Sequence, residues 1–207
     1  MMIVGNGSQS LSNEKTPSQS APGEKNGSSR SLFLYTIIAL GLALFIRFFI
    51  AAPYIVQGAS MDPTFDNWHY LIIDRVSYRI GEPARGDVIV FGLPMDPERS
   101  LIKRIVALPG ETAVLNGSAV MILNAEHPSG FTLDEPYLDP ANLTGTNDMR
   151  VTLDEDQYFV LGDNRRLSSD SRVWGVLPKE NIIGRALLRL YPFNMVGVLP
   201  GKMRYEE

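Results

Sequence analysis

The sequence predicts a mainly β protein, an antiparallel β-sheet or barrel-like domain preceded by one N-terminal transmembrane helix. Three observations carry this. Leu32–Ala52 is one continuous apolar run, LFLYTIIALGLALFIRFFIAA. Beyond it, short runs rich in Val, Ile and Leu are bounded by Gly, Pro, Asn and Asp, which is strand punctuation. No later stretch repeats apolar residues at helical spacing for long enough to make an amphipathic helix.

The chain has 207 residues, 44% apolar and 20% charged. That is ordinary for a globular protein and enough for one domain with extensions. A net charge of -4 argues against general nucleic-acid binding, and no nucleic-acid partner is expected. There are no cysteines, which removes disulfides, thiol catalysis and Cys-based zinc sites and leaves the redox compartment open. His69 and His127 lack metal-ligand spacing, so neither a metal nor another cofactor is expected.

Residues 1–30 are rich in Ser, Gly, Asn and Pro. Too few large apolar side chains are present to offset the entropy of ordering, so a disordered tail is expected. Residues 31–52 are the expected anchor. As a helix the apolar run would be roughly 30 Å long, the thickness of a bilayer core. Its one charge, Arg47, lies near the far end, where a long side chain reaches the interface. A cleaved leader fits less well, because the apolar core is too long and Pro53 follows Ala51-Ala52 directly. Lys15, Lys25 and Arg30 precede the run, and no Lys or Arg follows until Arg75. The positive-inside rule then puts the N-terminus in the cytoplasm and residues 53–207 across the membrane.

Strands are expected at Tyr70–Asp74, Asp87–Phe91, Leu101–Leu108, Gln157–Leu161 and Ile182–Leu190. Thr112–Leu115 and Ser118–Ile122 flank Asn116-Gly117, a strong hairpin signal. Residues 123–156 are polar and read as a long insertion with a small hairpin of its own.

Three stretches carry chemistry. Gly58-Ala59-Ser60-Met61-Asp62-Pro63-Thr64 follows the anchor. Its proline and small residues make a rigid turn on which Ser60 is placed to act as a nucleophile. Lys103 sits inside the apolar run Leu101–Val106. Neighbouring strand residues face opposite sides, so if Arg104 faces water, Lys103 faces inward. Burial would lower its pKa and free a neutral amine to activate a serine. The reverse arrangement, with Arg104 inward and Lys103 on the surface, is the competing expectation. The third stretch, Gly162–Gly175, is dense in Asp, Arg and Ser, either a solvated loop or a closed network that props up a site. The histidines are expected at the surface or an interface and not in catalysis. No carboxylate stands in an apolar setting that would raise its pKa for acid–base work.

These stretches, in this order behind an anchor, resemble the type I signal peptidases, membrane-anchored serine proteases that remove signal peptides from exported proteins. Ser60-Met61-Asp62-Pro63-Thr64 resembles the nucleophile box. Tyr78-Arg79 with Pro83–Phe91 resembles the second, and Lys103–Glu111 the lysine box. Gly162-Asp163-Asn164-Arg165, Ser168, Asp170-Ser171-Arg172 and Trp174-Gly175 resemble the last. The likeness spans about residues 30 to 192.

The resemblance implies Ser60 as nucleophile and Lys103 as general base. It implies Ser168 as the serine that orients the lysine, Asp170 and Arg172 as a supporting ion pair, and Asp163 in the same network. The Ser60 N–H would form part of the oxyanion hole. In some branches a serine two positions before the nucleophile supplies the second donor. Here that position is Gly58, so a backbone N–H must serve or the donor is absent. Arg166-Leu167 replaces the small polar pair more usual before Ser168. Family specificity is for small side chains at −1 and −3, the Ala-x-Ala pattern. By motif offset, Val56, Met61, Phe65 and Ile102 are expected to line the pockets. Implied partners are signal-peptide-bearing preproteins, the lipid bilayer and, by proximity, the export translocase. The implied location is the plasma membrane, with an internal thylakoid-type membrane equally compatible. Two other classes fit parts of the sequence, a self-cleaving Ser–Lys regulator and a non-enzymatic anchored β domain.

Overall fold

The computed structural model describes residues 27–45, 50–144 and 146–205. Most of the expected tail, residues 1–26, lies outside them. The first element is helix α1, Gly27–Phe45. Its apolar part, Leu32–Phe45, is 14 residues, about 21 Å at 1.5 Å per residue. Among the described residues no helix is long and apolar enough to cross a membrane. The rest of the expected span includes residues 46–49, which are outside the described residues. Ala51 and Ala52, expected to close the helix, instead open strand β1, Ala51–Ile55.

Among the described residues twelve strands follow the helix, with two helical turns of four residues each, α2 (Ser77–Ile80) and α3 (Ser171–Trp174). The larger sheet takes β1, β2 (Tyr70–Asp74), β3 (Val88–Leu93), β4 (Asp96–Ala107), β9 (Gln157–Leu161), β10 (Leu177–Pro178), β11 (Ile182–Tyr191) and β12 (Gly197–Val198). Its order is β1-β2-β11-β3-β4-β9-β10, with β12 paired to β11. The smaller sheet is β7 (Phe131–Thr132), β6 (Ala119–Leu123), β5 (Thr112–Gly117) and β8 (Thr146–Thr152). Every pairing is antiparallel. The larger sheet is an open series of strands and not a closed barrel.

Two expectations are corrected here. Among the described residues, 123–156 hold no hairpin of their own. They supply β7 and β8, which flank β6 and β5, and so build half of the smaller sheet. The Asn-Gly hairpin turns one residue later than expected. Asn116 pairs with Ala119, and the turn is Gly117-Ser118, with Gly117 at φ +59°.

β4 joins the cores. Val106 and Ala107 pack with Ala113, Leu115 and Ile122 of the smaller sheet. Ile105 packs with Phe91, Tyr158 and Val160, and Ile102 rests against Val56, Leu71 and Val90. Lys103 to Ala107 are buried in succession, as are all six residues of β3. A strand covered on both faces hides odd and even positions alike. Lys103 and Arg104 are therefore both buried, 2% and 1% exposed, and Arg104 does not face water.

Candidate active site

Ser60 lies on the turn between β1 and β2. The turn is closed by the N–H of Phe65 donating to the carbonyl of Met61 at 2.9 Å, and Asp62 N–H donating to Ala59 at 3.3 Å. That bridge folds Met61 and Phe65 into the core beside Leu71 and Ile73. Asn164 N–H, from the loop after β9, donates to the Ser60 carbonyl at 3.1 Å. Asn142 Nδ2 holds the Asp62 carboxylate at 2.6 Å.

Lys103 reaches Ser60 from β4. Its Nζ is 2.7 Å from Ser60 Oγ and donates to the Ile102 carbonyl at 2.7 Å. Burial lowers its pKa to about 8, although Asp170 and Asp163 pull the other way and Arg99 assists. An amine that becomes neutral from about pH 8 upward, in contact with a hydroxyl, can take that hydroxyl's proton.

Arg104 points to the opposite face. Its Nε and Nη2 meet Asp163 Oδ1 and Oδ2 at 2.9 and 2.6 Å, a bidentate pair. Its plane stacks 3.8 Å over Tyr137. Thr64 Oγ1, on the serine turn, donates to Asp163 Oδ2 at 2.5 Å. Asp163 thus ties β4 to the turn that carries Ser60. It sits in this network with Arg104 and Thr64, on the far side of β4 from Lys103.

Asp170 and Arg172 form the expected pair, with Nε–Oδ1 and Nη2–Oδ2 both 2.8 Å. Asp170 Oδ2 also accepts from Gly162 N–H at 3.0 Å, and its side chain caps α3. Ser168 lies against Gly162, and its Oγ is buried without a hydrogen-bond partner. Gly162 has no room for a side chain. A Cβ there would lie 2.4 Å from the Ser60 carbonyl oxygen and 2.2 Å from Ser168 Oγ.

A cavity of about 140 Å³ opens beside the pair, lined by Val56, Gln57, Ser60, Ile102 and Lys103 and, deeper, Tyr54 and Ser100. Tyr54 OH and Ser100 Oγ meet across it at 3.1 Å. Val56 and Ile102 are on its wall as expected by offset. Met61 and Phe65 are not, because the closed turn turns them into the core. Gly58, at φ +93°, uses its N–H on Asn67 Oδ1 at 3.0 Å.

His69 corrects another expectation. It is 4% exposed, not on the surface, and packs edge-on against Phe65. Its Nδ1 accepts from Asp66 N–H at 3.3 Å, and burial and Arg189 lower its pKa. His127 is half-buried against Phe131. Among the described residues no group of three or more His, Asp or Glu side chains is arranged to hold a metal ion. Sequence reasoning gave no separate role to Thr64, Tyr54 or Ser100, and held an inward Arg104 only as the competing expectation. Gly162 was read only as part of a polar stretch, and a glycine between a strand and a polar loop was its readable signal.

A polar turn and a β strand that bring a serine against a buried lysine define a class of hydrolytic site. The profile of the family described as "Signal peptidase, peptidase S26" matches residues 29–191, and the chain belongs to that family. It is 40% identical to a probable signal peptidase I-1 of Synechocystis sp. over 79% of this chain and 83% of that one. It is 39% identical to signal peptidase I S of Bacillus subtilis, over 76% and 86%. A solved signal peptidase I from Enterococcus faecalis aligns with 51% of this chain and 97% of its own, at 32% identity and a TM-score of 0.43. The chain is thus a hydrolase of the signal peptidase I type.

The Gly162 contact generates a prediction. Gly162→Ala should cut cleavage of a precursor by about a hundredfold or more, since a methyl group must displace the Ser60 carbonyl and a small misplacement of reacting groups has that cost. Cleavage within about threefold of wild type, measured by gel assay, would show the approach is slack.

Proposed function

We propose that this chain is a membrane-anchored serine endopeptidase that removes N-terminal signal peptides from exported preproteins through a Ser60–Lys103 dyad. The contact of a buried, pKa-depressed Lys103 with Ser60 Oγ is the observation that carries the reading. Neutral Lys103 takes the Ser60 proton as Oγ attacks the scissile carbonyl. The Ser60 N–H helps hold the oxyanion. Lys103 then gives its proton to the leaving amine, and the C–N bond breaks to leave an acyl-enzyme. Water, deprotonated by the same amine, attacks the ester and releases Ser60.

The sheet supports a mode of substrate binding. β1 pairs with β2, and Ser100–Lys103 of β4 pair with β3, while β9 pairs with β4 from Arg104 onward. Two strand edges therefore flank the cavity at Ser60. An extended peptide can add to such edges by main-chain hydrogen bonds and drop alternate side chains into pockets. The small cavity walled by Val56, Ile102 and Tyr54 suits the short side chains of an Ala-x-Ala site. Ser168, Asp170 and Arg172 would support the dyad by fixing the loop around Gly162. Gly58, its N–H engaged by Asn67, would leave the Ser60 N–H as the principal oxyanion donor.

Residues 31–50 would anchor the chain, with residues 1–30 in the cytoplasm and residues 51–207, from β1 onward, outside, close to the export translocase. The plasma membrane and an internal thylakoid-type membrane both fit the charge asymmetry.

Three predictions follow from the dyad and the anchor. Ser60→Ala, Lys103→Ala and Lys103→Arg should each abolish precursor cleavage with the circular dichroism spectrum unchanged, because a guanidinium cannot supply a neutral base. Normal turnover by Lys103→Ala would sink the assignment. Secondly, kcat/KM should rise with pH and level off above about 8, since Lys103 must lose its proton before Ser60 attacks. This limb should persist in His127→Ala and in His69→Asn, which keeps an acceptor for Asp66; its loss in either would point to a histidine base. Thirdly, protease added outside sealed cells should digest residues 53–207, whereas a protected domain would reverse the topology.

A further inference from the structure

The family match stops at residue 191, yet Leu199–Tyr205 close over the back of the site. Leu199 N–H donates to Leu187 at 2.7 Å, and Met203 N–H donates to the Gly86 carbonyl at 3.2 Å. Lys202 Nζ meets the buried Asp87 at 3.0 Å, and the Tyr205 and Tyr137 hydroxyls are 3.0 Å apart. The fit is tight. A Cβ on Gly86 would lie 2.2 Å from the Met203 carbonyl oxygen. Gly201, at φ +75°, approaches Thr64 so closely that a Cβ would lie 2.4 Å from its Cγ2.

The contact that matters most is on Arg104. A guanidinium has five N–H donors. Two go to Asp163, one to Thr64 Oγ1, one to the Gly86 carbonyl and the last to the Gly201 carbonyl. The segment thus supplies one of these acceptors directly and holds Gly86, which supplies another.

We propose that Leu199–Tyr205 is a positioning element of the catalytic centre: it locks Arg104, and through Asp163 and Thr64 it keeps the Ser60 turn in register with Lys103. Without the Gly201 carbonyl a buried guanidinium donor has no partner, and the side chain must shift to find one. Asp163 would follow, and with it Thr64, which shares its Oδ2. The charged groups acting on Lys103 are Asp170, Asp163 and Arg99. An Asp163 less fully neutralised by Arg104, in a site newly open to water, favours the ammonium form of Lys103. The same loosening therefore misaligns the dyad and raises the pH at which it works.

The proposal rests on the Ser60–Lys103 reading, and Ser60→Ala run alongside separates the two. Residual cleavage by Ser60→Ala overturns that reading. The test compares wild type, a chain ending at Pro200, and Gly201→Ala on one precursor across pH. Ile122→Val, in the core of the smaller sheet, serves as a destabilised control. The truncated chain should lose about tenfold or more in kcat with KM within about twofold, and its kcat/KM limb should move up by about half a pH unit or more. Gly201→Ala should show the same signature at about threefold. Ile122→Val should lower the melting temperature and leave the limb in place. If the truncated chain fails to fold, Gly201→Ala decides alone. A folded Gly201→Ala or truncated chain with wild-type kcat and limb overturns the proposal, as does a limb that moves equally in Ile122→Val.

Discussion

Two cations stand side by side on one buried strand. Lys103 and Arg104 are both nearly inaccessible, and β4 sends them to opposite faces. Burying a charge is costly unless it is paired or given up. The two residues take the two different routes. Arg104 cannot lose its proton, so it is paired with Asp163, stacked on Tyr137 and saturated with acceptors. Lys103 has a hydroxyl and a carbonyl within hydrogen-bond distance, and its charge is what yields, with its pKa brought to about 8. Had the order been reversed, a permanently charged guanidinium would face the serine, with no proton to give up.

The loop after β9 serves both faces of that strand. Gly162 lets the Ser60 carbonyl and Ser168 meet over its Cα, and its own N–H is held by Asp170. Asp163, the next residue, turns to Arg104. Both carboxylates are close enough to pull on Lys103, and both would keep it charged if they were bare. Each is already committed to an arginine, Asp163 to Arg104 and Asp170 to Arg172. The arginines therefore do more than brace the loop. They mute the field that would otherwise hold a proton on the base, leaving desolvation as the dominant influence.

How far the sequence could be read follows from the same physics. Tyr70–Asp74 and Gln157–Leu161 match β2 and β9 to the residue, because each is an apolar run with turn residues at both ends. Ser60 and Lys103 stood out in the sequence, one on a small-residue turn and one inside an apolar strand, and the fold brings them to 2.7 Å. Burial of both Lys103 and Arg104 was not foreseen, since alternation assumes that one face of a strand is wet, and this part of β4 is packed on both. β8 was hidden by composition: Thr-Asn-Asp-Met-Arg-Val-Thr is polar and pairs with β5 at the sheet edge. Met61 and Phe65 follow Ser60 closely in sequence, but the turn closes between them and carries both into the core. A motif offset gives proximity along the chain and says nothing of which way a closed turn sends its side chains.

The larger sheet explains how a half-exposed Ser60 and a buried Lys103 come into contact. β9 pairs with β4 from Arg104 to Ala107, and the pairing ends where Lys103 begins. On the buried side of that point the strand is sealed, which desolvates the lysine stem. On the other side an unpaired edge begins, running back through Ile102 and Leu101 to Ser100. Across a narrow cavity β1 offers a second edge, joined to the first by the Tyr54–Ser100 hydrogen bond. One change of partner along one strand thus does two things. It ends the protection of the ladder at Lys103, and it leaves that residue buried, with its pKa lowered to about 8, and near enough to touch Ser60.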